Sequence, residues 1–210
     1  MNTDARVSLL MDQYPGEAAF ICDTARRISS ATTKDELLAI LAEEIGRYSN
    51  FDLQLIGGRL HNEIRKLPSP YREAISPYFL EQLFGMHHAL LLLYRSGATR
   101  LPSVPLRDPV LFGDYCRIIP DGCFSWDDQF ERNPGLRNPR MRLFYYLISA
   151  FTMFVLDKPG HPVGMPFPGG YTVEQRGSDY YCLIRDKEKE VFYSICNFCP
   201  AKQMEDNPPV

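Results

Sequence analysis

The sequence predicts a mainly α protein: a multi-helix, bundle-like body followed by a small C-terminal antiparallel β module. Three observations predict it. Apolar residues recur at helical spacing through most of residues 1–157. The stretch PGHPVGMPFPGG, residues 159–170, then holds four prolines and four glycines, which no regular element tolerates. Beyond it the pattern shortens to alternating, β-prone segments separated by polar turns. The boundaries that follow are a helical body at 1–157, a Pro/Gly-rich connecting loop at 158–170, a β module at 171–203 and a polar tail at 204–210.

Residues 4–30 read as two short helical pieces broken at Pro15 and Gly16. Thr32 or Thr33 caps the next helix, with Asp35 and Glu36 in its first turn. Leu37, Leu38, Ile40, Leu41 and Ile45 form its apolar face. Asn50 opens a further amphipathic helix, where Gly57 and Gly58 mark a place for a kink and Pro68 and Pro70 a stop. The pattern is helical again over 71–94, closed by Ser96 and Gly97. A proline-rich loop follows at 98–109. Asp108 and Pro109 then start a helix over 110–119, and Pro120, Asp121 and Gly122 read as a turn. A short helix is expected at 126–130. Asn138 and Pro139 open a strongly apolar helix ending near Asp157. In the last part, YTVEQ and YYCLI predict a hairpin around RGSD, and VFYSI beyond DKEKE predicts a third strand.

A chain of 210 residues with 45% hydrophobic and 23% charged residues is not a disordered one. A net charge of −3 disfavours nucleic acid as a partner, because such binders usually carry a basic surplus. The first residues lack the basic start and apolar stretch of a secretory signal. The longest apolar run, 143–156, is too short to span a bilayer comfortably, so no membrane association is expected. These features point to the cytoplasm, where six cysteines read as thiols or metal ligands before disulfides. Oligomeric state is not legible.

Three of the cysteines fall in the β module. Cys196 and Cys199 form a C-x-x-C pair, which can turn two thiolates toward one tetrahedral ion. Cys182 lies on the strand expected to pair with the one preceding them. A module of about 35 residues normally needs such a staple, which makes it zinc-knuckle-like. Zinc is the expected cofactor; an iron–sulfur cluster ranks below it, because the close-packed ligand run is missing. His161 is the leading fourth ligand, followed by Cys123, Cys116 or a water. The competing view is that Cys182 is a small core residue and the C-x-x-C an incidental turn. Arg137, Arg140 and Arg142, with Arg132, crowd the start of the apolar helix, where an anion could bind. Against that, Asp127, Asp128 and Glu131 can pair with them. His61, His87 and His88 read as ordinary helix residues. Phosphate-loop, dinucleotide, nucleophile-elbow and H-E-x-x-H motifs are missing.

The stretch 142–203 resembles an archaeal family of unknown function, domain of unknown function 2115, found mainly in methanogens. GHPVGMPFPGG, the YYC of 180–182 and CNFCPAK at 196–202 carry the resemblance. In that family a proline often follows the first cysteine, where this chain has Leu183. The resemblance implies a cytoplasmic archaeal protein and no particular reaction. The functional expectation is a metal-binding protein that docks or assembles a protein partner, with Phe198 and Lys202 exposed at the contact. The alternative is a metal-dependent enzyme or cofactor-handling protein with an open metal position near His161.

Overall fold

A computed structural model describes residues 3–97, 104–125 and 139–204, with side chains from Val7 onward. Helix α1 spans Thr3–Gln13 and α2 spans Pro15–Ser29, with Pro15 at the first position, where its missing N–H costs nothing. Helix α3, Lys34–Ile45, begins with a reciprocal capping box: Thr33 accepts from the Glu36 N–H, and Glu36 accepts from the Thr33 N–H. Helix α4, Asn50–Arg65, uses Ser49 and Asp52 in the same way. It runs unbroken through Gly57 and Gly58. A Cβ at Gly57 would stand 3.4 Å from the Phe84 ring, an ordinary contact distance.

The helical stretch predicted over 71–94 is built in three parts. They are α5 at Tyr71–Leu80, a π-helical turn at Glu81–Gly85 and α6 at Met86–Arg95. Helix α7, Pro109–Ser125, continues through Pro120, where the sequence predicts a turn. Proline inside a helix costs about 3 kcal/mol. Burial of Phe112, Tyr115, Cys116, Ile119, Cys123 and Phe124 along α7 outweighs that cost. Helix α8 spans Pro139–Ala150 and passes into a second π-helical turn, Phe151–Val155. The chain leaves that turn at Asp157, whose φ of 53° is the left-handed conformation that ends many helices. Among the described residues no helix is long and apolar enough to cross a membrane. The helix expected at 126–130, the Asn138 cap and Arg132 and Arg137 lie outside the described residues.

The C-terminal part is a small mixed sheet, not an antiparallel one. Strand β1, Glu174–Arg176, pairs antiparallel with β2, Asp179–Cys182, around Gly177, as the hairpin signal predicts. The third strand is β3, Lys202–Gln203, parallel to β2. VFYSI is not a strand. Successive turns, closed by Lys187 N–H to Ile184, Val191 N–H to Glu188 and Ser194 N–H to Val191, coil the chain through it and leave Phe192 exposed.

One hydrophobic cluster joins the helices to this part. It contains Phe112, Tyr115, Phe144, Phe151 and Phe154 together with Met165, Phe167, Cys182, Ile195, Phe198 and Cys199. Tyr115 meets Phe154 at 5.2 Å and Phe198 edge-on at 5.4 Å. The Tyr146 hydroxyl on α8 donates to the Tyr193 carbonyl at 2.8 Å.

Candidate thiol site

Cys182 ends β2, where its carbonyl accepts the Met204 N–H at 3.2 Å and so fixes the start of the site to its far end. Cys196 lies within a single 3-10 turn, Ile195–Phe198, and Cys199 caps its C-terminal end. Ser194 caps the turn by accepting the Cys196 N–H at 3.3 Å, and the Cys199 N–H returns to the Cys196 carbonyl at 3.2 Å. Arg185 braces it from outside: Nε donates to the Cys199 carbonyl at 3.2 Å and Nη2 to the Asn197 carbonyl at 3.4 Å. The pairing that brings Cys182 to the C-x-x-C is therefore β2 with β3, rather than with a strand before the turn.

All three thiols are buried. Burial holds each above the ordinary thiol value, Cys196 at about 12. Hydrogen bonds to sulfur oppose that shift. The Ile184 and Arg185 N–H groups donate to Cys182, Ser194 bonds Cys196, and the Ala201 and Gly160 N–H groups donate to Cys199. The Gly160 donor stands 3.4 Å from the Cys199 sulfur. Cys196 feels both Cys199 and Cys182 electrostatically, and Cys199 feels Cys182. The fold thus gathers the three predicted cysteines into one neighbourhood.

It does not assemble them as ligands. Among the described residues no three His, Cys, Asp or Glu side chains are grouped to hold a metal ion, so the zinc-knuckle-like expectation is not met in the geometry. The physical reason is packing: Cys182 and Cys199 belong to the hydrophobic core, where a neutral thiol behaves as a small apolar group.

The fourth-ligand candidates fall in different places. His161 stands edge-on to Phe167 at 5.7 Å, and burial pushes its pKa down to about 4, which keeps the imidazole neutral at pH 7. It follows Gly160, whose amide touches Cys199. Cys123 is raised by burial and interacts with Arg142 and Cys22. Burial alone raises Cys116, to about 12. Of the arginines, Arg140 lies 2.8 Å from Glu17 and 4.0 Å over the Phe20 ring, which commits it to packing on α2. Arg142 is buried and adjoins Cys123 and Tyr145. His87 packs on Phe144 at 5.5 Å and is lowered by burial, as a core-facing helix histidine would be. Phe198 corrects an expectation: it is buried against Tyr115, not exposed. Lys202 is exposed but bonded to Asp179 at 2.6 Å.

Sequence reasoning missed four members of the site. Tyr145 interacts with Cys196 and Cys199, and Arg142 three residues earlier on α8 was the only hint of that face. Arg185, Gly160 and Gln82 act through backbone groups, which no motif records.

Known proteins resemble this chain over most of its length. A protein of Methanocaldococcus jannaschii named UPF0305 is 22% identical over 81% of this chain and 96% of its own. A UPF0305 protein of Methanococcus maripaludis is 25% identical over 79% of this chain and 94% of its own. One from Methanothermobacter thermautotrophicus is 38% identical over a shorter stretch, 29% of this chain and 37% of its own. No solved structure matches. Residues 33–204, which include both the α3 cap and the whole thiol site, match the family described as an uncharacterized protein conserved in archaea, and the chain belongs to that family, DUF2115.

Proposed function

We propose that this chain is a cytoplasmic metal-binding protein, in which Cys182, Cys196 and Cys199 take up one zinc ion and the metal rigidifies a surface that docks or assembles a protein partner. The observation that carries the reading is the clustering of three thiols, each with hydrogen-bond donors directed at sulfur. Such donors oppose burial, which remains the larger effect and holds each thiol above its ordinary value, so uptake of a metal displaces a proton from each thiol. Zinc suits a sulfur-rich tetrahedral set and needs no redox partner. Ligation requires the sulfurs to draw together from their packed positions. His161 is the neutral imidazole nearest in the chain to that cluster and is the leading fourth ligand. One fact favours an open, catalytic fourth position instead: His161 packs on Phe167.

The test is metal content. Full-length protein purified without oxygen is expected to carry one zinc per chain, and Cys196→Ser to lose at least half of it. In a cobalt-substituted sample, visible bands of a four-protein-ligand tetrahedral site support the structural role, and bands sensitive to added anions support the open one. Wild-type protein without stoichiometric metal, and unable to take up cobalt, overturns the proposal.

A further inference from the structure

Helices α1 and α2 precede the part of the chain that matches its family. That match begins at residue 33, after α2 has ended. The Methanocaldococcus and Methanococcus relatives match 96% and 94% of their own length against 81% and 79% of this chain, which leaves about a fifth of this chain unmatched in each. Yet α2 is well seated. Its buried residues Ala18, Ile21, Ala25 and Ile28 recur every three or four positions and form one stripe. The helix packs on α3, α7 and α8.

The contact has the make-up of a docked helix, with an apolar centre and a charged rim. Near the start of α2, Glu17 lies 2.8 Å from Arg140 of α8. Near its end, Arg27 pairs with Glu44 and, at 2.6 Å, with Glu43, both on α3. Between them the Phe20 ring meets the Arg140 guanidinium at 4.0 Å and that of Arg47 at 5.6 Å. The two ends of α2 thus carry opposite charges, each matched by the surface it meets, and this fixes the direction in which a helix can lie there.

We infer that α3, α7 and α8 form a groove for an amphipathic helix and that α2 is its in-chain occupant, separable from the body that carries it. An outside ligand of the groove is then a helix of the same pattern. It has small and branched apolar residues in one stripe, an acidic residue at the start and a basic one near the end. Only Ser30, Ala31 and Thr32 join α2 to the α3 cap at Thr33. A tether so short gives α2 an effective concentration of about millimolar, which an outside helix must overcome. None of these residues belongs to the thiol site, so the outcome does not depend on metal.

The test cuts the tether in the full chain. A specific protease site is inserted after exposed Ser30, and the protein is compared before and after cleavage. A fluorescent peptide of residues 1–30 is the probe, alongside its Ile21→Asp and Arg27→Glu forms. The labelled peptide is expected to take the place of the cut fragment, as seen by native mass spectrometry. The Ile21→Asp peptide should not enter, and the Arg27→Glu peptide should bind at least about tenfold more weakly. The amides of Ile64 on α4 and Leu90 on α6 should stay protected from hydrogen exchange throughout. A labelled peptide that never enters makes α2 an inseparable part of the core and overturns the inference. Entry only under conditions where Ile64 and Leu90 also exchange overturns it as well, because the body then needs α2 to stay folded. Equal binding of all three peptides overturns it too, since neither the stripe nor the rim charge would be recognised.

Discussion

A methyl group added at Gly122 would overlap the Tyr146 hydroxyl, the same hydroxyl that bonds the Tyr193 carbonyl at 2.8 Å. Helix propensity favours alanine over glycine by about 1 kcal/mol, but overpacking a tight contact costs about 1–3 kcal/mol. The second effect also breaks a tie between α8 and the C-terminal segment, so it wins. Gly122→Ala is expected to lower stability by about 2 kcal/mol in urea unfolding; a stabilised variant would show that α7 and α8 can separate without cost. The sequence reads Gly122 as part of a Pro-Asp-Gly turn, because the contact that demands glycine comes from a residue far along the chain. The same contrast holds at the thiol site. Cys182, Cys196 and Cys199 are legible from residue type and spacing. Gln82 and Arg185 are not, since each works through a backbone group that only the folded chain brings near.

Helices α2 and α3 are locked by a buried carboxylate. Glu44 has a side chain 1% exposed and is held by Arg27, by Arg47 at 3.2 Å and by the Thr24 hydroxyl at 3.3 Å. Arg26, the preceding residue on α2, pairs with Asp23 with side chains 75% and 60% exposed. The two arginines are neighbours in sequence with very different expected effects. Arg26→Ala should change stability by less than about 0.5 kcal/mol, since exposed pairs are weak and screened. Arg27→Ala removes a partner from a carboxylate that water does not reach, and should cost about 2 kcal/mol. Denaturation of the two variants at low and high salt checks this; equal effects would mean that Glu44 rehydrates on losing Arg27. At this scale the helix starts were legible, because caps such as Thr33 with Glu36 are local chemistry. The third strand was not. β3 is two residues long, and its place beside β2 follows from the path of the intervening turns rather than from any alternation in Lys202 and Gln203.

Across the whole molecule the aromatic contacts of Tyr115 with Phe154 and Phe198 make the helices and the C-terminal segment share one interior. Phe198→Ala should cost about 3–5 kcal/mol, and the loss should reach α7 as well as the small sheet. Urea unfolding followed by far-ultraviolet circular dichroism, and by hydrogen exchange over 171–204, should give coincident midpoints that fall together in this variant. A sheet that melts first while the helical signal stays in place would refute a shared core. The two π turns bear on the same interior, since Gln82 in one and Met153 in the other both reach Gly160. A π turn closes its hydrogen bond one residue later than an α turn, and one residue is about 100° of rotation on a helix. Inserting or deleting a single residue in Glu81–Gly85 therefore changes the angular phase between Ile75, buried on α5, and Leu90, buried on α6. The length of that turn works like the tooth count of a gear: it sets which faces of the two helices can be buried at once.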